Sequence, residues 1–162
     1  MDADYGKMFA AIENEVCAAG KTQVRLLARI CPQDYNGISG AFVPLKRPWS
    51  RIDVYRDFPN NDNRSVYEVI TLAHECGHRE AWLQEDEDEA VRSGAAHDSA
   101  AWLAMAITER TAMLRAEERA WRAARPLLER HSFADWSEFE RRKRDDISTY
   151  RSRLGVENLA PP

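Results

Sequence analysis

The chain has 162 residues, 44% of them hydrophobic and 31% charged, with five Trp and only seven Gly and seven Pro. That is enough apolar material for one packed domain, and it excludes a disordered tail, a collagen-like repeat and a low-complexity chain. The net charge of -4 is unevenly spread: residues 1–100 sum to -6 and residues 101–162 to +2, which argues against nonspecific nucleic-acid binding over most of the surface.

Taken in chain order, residues 3–19 read as a helix, because Tyr5, Met8, Phe9, Ile12 and Val16 recur at helical spacing before Gly20. Residues 24–30 form a short apolar run that fits helix or strand, and Leu26-Leu27-Ala28 tips the reading toward helix. Asn36-Gly37 and Ser39-Gly40 are turn signals. Ala41-Phe42-Val43 and Ile52-Asp53-Val54-Tyr55 then read as two strands of a hairpin or meander, followed by a loop over 57–64. Ser65-Val66-Tyr67-Glu68 is a capping box that opens a helix running to about Gln84, and an acidic loop follows at 85–89. A long helix is expected from Asp98 or Ser99 to Arg125, with Pro126 as a kink or break. A last helix over 137–154 carries its own capping box, Ser137-Glu138-Phe139-Glu140, and Phe133, Trp136 and Phe139 would pin it to the body.

The longest Ala-rich apolar run, at 100–107, falls far short of the roughly 20 residues of a membrane span, so no membrane partner is expected. Cys17, Cys31 and Cys76 have no metal-like spacing. The acidic N-terminal stretch lacks the cationic region of a secretory signal, so reduced thiols in a cytoplasmic protein are the simplest reading.

The string that carries chemistry is His74-Glu75-Cys76-Gly77-His78, an H-E-x-x-H motif inside the expected helix. Residues four apart share a helix face, about 5–6 Å apart at their Cβ atoms, so His74 and His78 can bind one Zn²⁺ together. Glu75 points beside the metal and can take the proton of a water held there. Gly77 inside the helix costs about 1 kcal/mol relative to Ala, and close approach of another backbone would account for it.

A third ligand must come from elsewhere. A third His six residues after His78 would fall at Gln84, which excludes the metzincin pattern. On the long downstream helix Trp102, Met105, Ala106, Met113, Ala120, Trp121, Ala124 and Leu128 form one apolar face, and Glu117 lies on it. A carboxylate on an apolar stripe should be paired or bound to metal, so Glu117 is the preferred ligand, with a buried arginine pair as its alternative. Glu109 lies on the same stripe two turns earlier. Glu118 turns toward Arg115, Arg122 and Arg125, and His97 is a further candidate at a helix start. Tyr55, Tyr67 and Tyr150 read as packing residues, with oxyanion donation as the sharper alternative, and His131 as a surface or packing residue.

Residues 65–78, ending in Thr71-Leu72-Ala73-His74-Glu75-Cys76-Gly77-His78, resemble the metal helix of ImmA/IrrE-type metallopeptidases, which are compact gluzincins. Residues 117–128, from Glu117 through Ala120 and Ala124 to Leu127-Leu128, are similar to that family's E-x-x-A-x-x-x-A-x-x-L-L stretch, which puts Glu117 in the ligand place. Many gluzincins carry an acidic residue four places after that Glu; this chain has Trp121. The resemblance covers roughly residues 36–130. It implies an α+β, mostly helical zincin-like domain over 1–130, with a small antiparallel sheet beside the metal helix. Residues 131–162 would be a C-terminal helical extension packed on the same domain. It implies a Zn²⁺-dependent peptidase in which His74, His78 and Glu117 hold the metal and Glu75 is the general base. The substrate would be an intracellular, repressor-like protein, as in regulatory proteases of phages and mobile elements. Two other readings stay open: a zincin-fold binding protein without turnover, and a SprT-like protease that uses His97 as ligand. The latter would reach nucleic acid through Arg141-Arg142-Lys143-Arg144, which otherwise reads as a solvated helix face.

Overall fold

The computed structural model describes residues 4–18, 20–28, 40–56, 65–84 and 99–156. The loops expected at 57–64 and 85–89, the turn at 36–37, Cys31, His97 and Asp98 lie outside the described residues. The protein is mostly helical with one small sheet, an α+β fold.

Helix α1 (Tyr5–Cys17) is capped by Asp4, whose side chain accepts from the Lys7 N–H at 3.0 Å. It buries Met8, Phe9, Ile12 and Val16, the stripe its spacing predicts. Strands β1 (Thr22–Ala28), β2 (Gly40–Pro44) and β3 (Ser50–Arg56) form a sheet in the order β1-β3-β2. β2 and β3 are the expected antiparallel hairpin, with Gly40 opposite Val54 and Pro44 opposite Ser50.

Two expectations are corrected here. The apolar run at 24–30 tips toward helix on sequence, but 22–28 form a strand. Val24 and Leu26 pack on the core from one side of it, while Arg25 turns to the other to reach Asp53. The sheet is mixed, not antiparallel throughout, because β1 pairs parallel to β3. A parallel neighbour arrives by a crossover rather than a tight turn, so no local signal announces it. Along β3, Ile52 and Val54 turn to the core, while Asp53 on the opposite face accepts from Arg25 at 2.7 Å and Arg51 at 3.0 Å.

Helix α2 (Val66–Leu83) has the predicted capping box: the Ser65 hydroxyl accepts from the Glu68 N–H, and the Glu68 carboxylate accepts from the Ser65 N–H. It packs on β2 and β3, with α1 beside it. The expected single helix from 98 to 125 is two: α3 (Ser99–Ala104) and α4 (Ile107–Arg130). The break at Met105–Ala106 lets Trp102 join a satellite cluster with Met113, Leu114, Leu154 and Val156. Pro126 does not end α4. It sits on the exposed side, where the carbonyl its ring leaves without a donor can be hydrated, while Leu127 and Leu128 hold the last turn in the core.

Helix α5 (Trp136–Arg153) has Asp135 as its N-cap, two residues before the predicted cap, so Ser137 lies inside the helix and its capping box does not form. The earlier start places Trp136 and Phe139 on one side, in edge-on contact at 5.6 Å, and Phe139 is fully buried. Phe133 and Phe139 belong to the same core as Ile12, Ile52, Ile70 and Leu72. Burying each such side chain is worth about 1.5–3 kcal/mol. Among the described residues no helix is long and apolar enough to cross a membrane.

Candidate metal centre

Helix α2 presents two neighbouring faces to the site. His74, Gly77 and His78, at i, i+3 and i+4, face α4; Thr71 and Glu75 face β2. Gly77 meets the backbone of α4 directly. A Cβ there would stand 2.8 Å from Ala120 Cα and 2.8 Å from its carbonyl carbon. The missing side chain is what lets α4 come close enough for a short glutamate to reach between two imidazoles.

Glu117 does so. Its Oε2 lies 3.2 Å from His74 Nε2 and 3.4 Å from His78 Nε2, and the two Nε2 atoms are 3.1 Å apart. Three ligand atoms of a tetrahedral ion with bonds of about 2.0–2.1 Å stand roughly 3.3–3.4 Å apart. The triangle therefore fits a small tetrahedral cation. His74, His78 and Glu117 are all buried, Glu117 to 1% exposure, and together they could hold a metal ion. A carboxylate this deep needs such a charge partner.

The other sequence candidates fall elsewhere. Glu109 is exposed and caps α4, accepting from the Ala106 N–H at 2.9 Å. It stands in the first turn of α4, ahead of the residues that helix buries, which begin at Met113. Glu118 accepts from Arg151 of α5 at 3.2 Å. His97 lies outside the described residues.

Glu75 is buried, and Gly40 marks its surroundings. A Cβ on Gly40 would stand 3.0 Å from Glu75 Cγ and 3.0 Å from its Oε1. The sequence reading treats Gly40 only as a turn signal; in the structure it is where β2 passes over the Glu75 carboxylate. A glycine inside a strand run is itself a signal for such close approach. Cys76 points into the core, and burial pushes its thiol far above the usual value, which keeps it protonated.

Trp121, which the sequence marks only as standing where many gluzincins carry an acidic residue, packs against the site. Its ring lies 4.4 Å from that of His74, centroid to centroid, tilted by 33°. Among the tyrosines, Tyr67 accepts from Arg141 at 2.8 Å and Tyr150 stacks on Trp102. His131 pairs with Glu15 at 2.8 Å. The basic run on α5 is laced into pairs: Arg141 with Glu138 and Asp145, Lys143 with Glu140, and Arg144 with Asp145.

Comparison with family models, with curated proteins and with solved structures finds no match for this chain.

Proposed function

We propose that this protein is a zinc-dependent peptidase. The observation that carries the reading is the buried triangle of His74, His78 and Glu117, with the non-ligand Glu75 on the adjacent face of the same helix. Two imidazoles and a carboxylate are a donor set suited to zinc, with one position left open for chemistry. When bound, zinc would supply Lewis acidity, polarising the scissile carbonyl and acidifying the attacking water.

The chain's own residues do the rest. Glu75 takes a proton from the water as its oxygen attacks the carbonyl carbon. As the C–N bond breaks, Glu75 passes that proton to the leaving amine. β2 is an edge strand of the sheet and passes Glu75 at Gly40, so an extended peptide could pair along it. Retention of a buried carboxylate that holds no metal supports turnover over mere binding. The substrate class proposed is a protein segment in extended form, with a repressor-like intracellular protein as the target the sequence resemblance suggests.

The test is incubation of the zinc-loaded protein with a mixed peptide library, reading new N-termini by mass spectrometry. Cleavage by the wild type that is lost with chelator and in Glu75→Gln is expected. Cleavage that survives both, or none by the loaded wild type, would overturn the reading.

A further inference from the structure

Outside the three ligand positions, one chain of contacts runs from the metal centre to the C-terminal helix. Trp121 sits one helical turn beyond Glu117 on α4 and is 2% exposed. Its indole covers the His74 ring at 4.4 Å, while the His78 ring meets His74 edge-on at 4.6 Å. The His74 imidazole is thus bounded by two rings that limit its rotation about χ2. On the far side, Trp121 Nε1–H donates to Asp146 Oδ2 of α5 at 2.9 Å, and Phe139 of the same helix meets the indole edge-on at 5.4 Å. A hydrogen bond to a carboxylate is stronger than one between neutral groups and fixes the indole in its plane.

We propose that Asp146 is a positioning residue for His74, acting through Trp121. The inference rests on the reading that His74, His78 and Glu117 hold a metal. Asp146 touches neither the ligand atoms nor any reacting group. It anchors the indole, and the indole holds the imidazole with Nε2 directed at the point shared with His78 and Glu117. The last helix is then part of the metal centre rather than a separate appendage. Without Asp146 the buried indole N–H loses its acceptor, the ring can shift, and His74 must be ordered when the ion binds. Supporting groups of this kind typically change metal affinity by about 10–100-fold.

The experiment is a cobalt(II) titration of the full chain against a chromophoric chelator, with the visible cobalt spectrum recorded at saturation. Asp146→Ala and Trp121→Phe should each weaken cobalt binding by about 10-fold or more and alter the spectrum. The double variant should be no weaker than the worse single one, because both remove the same link. Asp146→Asn, whose amide oxygen can still accept, should bind within a few-fold of wild type, and Asp145→Ala, one residue away, should bind as wild type. Unfolding midpoints of the metal-free variants separate loss of fold from loss of positioning; Asp146→Asn and Trp121→Phe keep the test alive if Asp146→Ala fails to fold. Wild-type affinity and spectrum in Asp146→Ala and Trp121→Phe, or additive losses in the double variant, would overturn the inference and leave the metal reading standing. No cobalt uptake by the wild type would overturn both.

Discussion

Gly77 of α2 and Ala120 of α4 meet backbone to backbone, and this contact sets the spacing on which the triangle of His74, His78 and Glu117 depends. Ala120 is three residues from Glu117, and Gly77 lies between His74 and His78 on the same helix face. Any group larger than hydrogen at 77 must drive the two helices apart at the point where their ligands converge. Gly77→Ala gains helix propensity, but the clash is with backbone, which cannot rotate away. It should destabilise the metal-free protein by about 1–3 kcal/mol, the usual cost of overpacking, and weaken metal binding as well. Urea unfolding with and without zinc measures both. A variant as stable as wild type would show that the helices can separate freely.

Glu75→Gln separates binding from chemistry. Glu75 is not one of the three converging residues, so the variant should keep its metal and its unfolding midpoint. An amide cannot take the proton of the attacking water, so peptide hydrolysis should fall by about 10²–10⁴. Metal analysis and product counting on one preparation check both halves. Wild-type turnover by the variant would remove Glu75 from the mechanism.

Gly40→Ala tests the relation between the edge strand and the base. The added methyl would stand 2.5 Å from Thr71 Cγ2 and 3.0 Å from the Glu75 carboxylate oxygen. The variant should bind metal as wild type, because the clash is with Thr71 and Glu75 on the neighbouring face of α2 and not with the three ligand side chains. Hydrolysis should drop by roughly 10–100-fold as Glu75 is displaced. Zinc affinity that falls with activity would mean that the disturbance spreads through α2 instead.

Glu117→Ala decides the third ligand. Removing one of three anchors should weaken zinc binding by orders of magnitude, whereas Glu118→Ala loses a contact with Arg151 of α5, away from the triangle, and should leave affinity unchanged. His97→Ala should bind as wild type. Competition against a zinc-selective dye ranks the three. Loss of affinity in His97→Ala with none in Glu117→Ala would favour the three-histidine alternative.

Much of this site was legible in the sequence, for physical reasons. The i, i+4 spacing of His74 and His78 fixes their common face once Ser65 and Glu68 start the helix. Glu117 stood out because a carboxylate on an apolar stripe needs a partner, and Gly77 because a helical glycine needs a reason. Non-local features were hidden. β1 read ambiguously because its short apolar run fits either period, and its parallel partner β3 is remote in sequence. The break at Met105–Ala106 is unmarked by Gly or Pro, and the period alone does not show that burial along α4 begins at Met113, one turn after Glu109. The early start of α5 and the bond from Trp121 to Asp146 follow from how two helices dock, which neither helix's own pattern records.

The most direct test of the central claim is the metal content of the purified, zinc-reconstituted chain, measured by elemental analysis beside His74→Ala and His78→Ala prepared in the same way. About one zinc per wild-type chain, and substantially less in each variant, is the predicted result. A wild type that retains no zinc, or variants that retain a full equivalent, would contradict the assignment of His74, His78 and Glu117 as a metal centre.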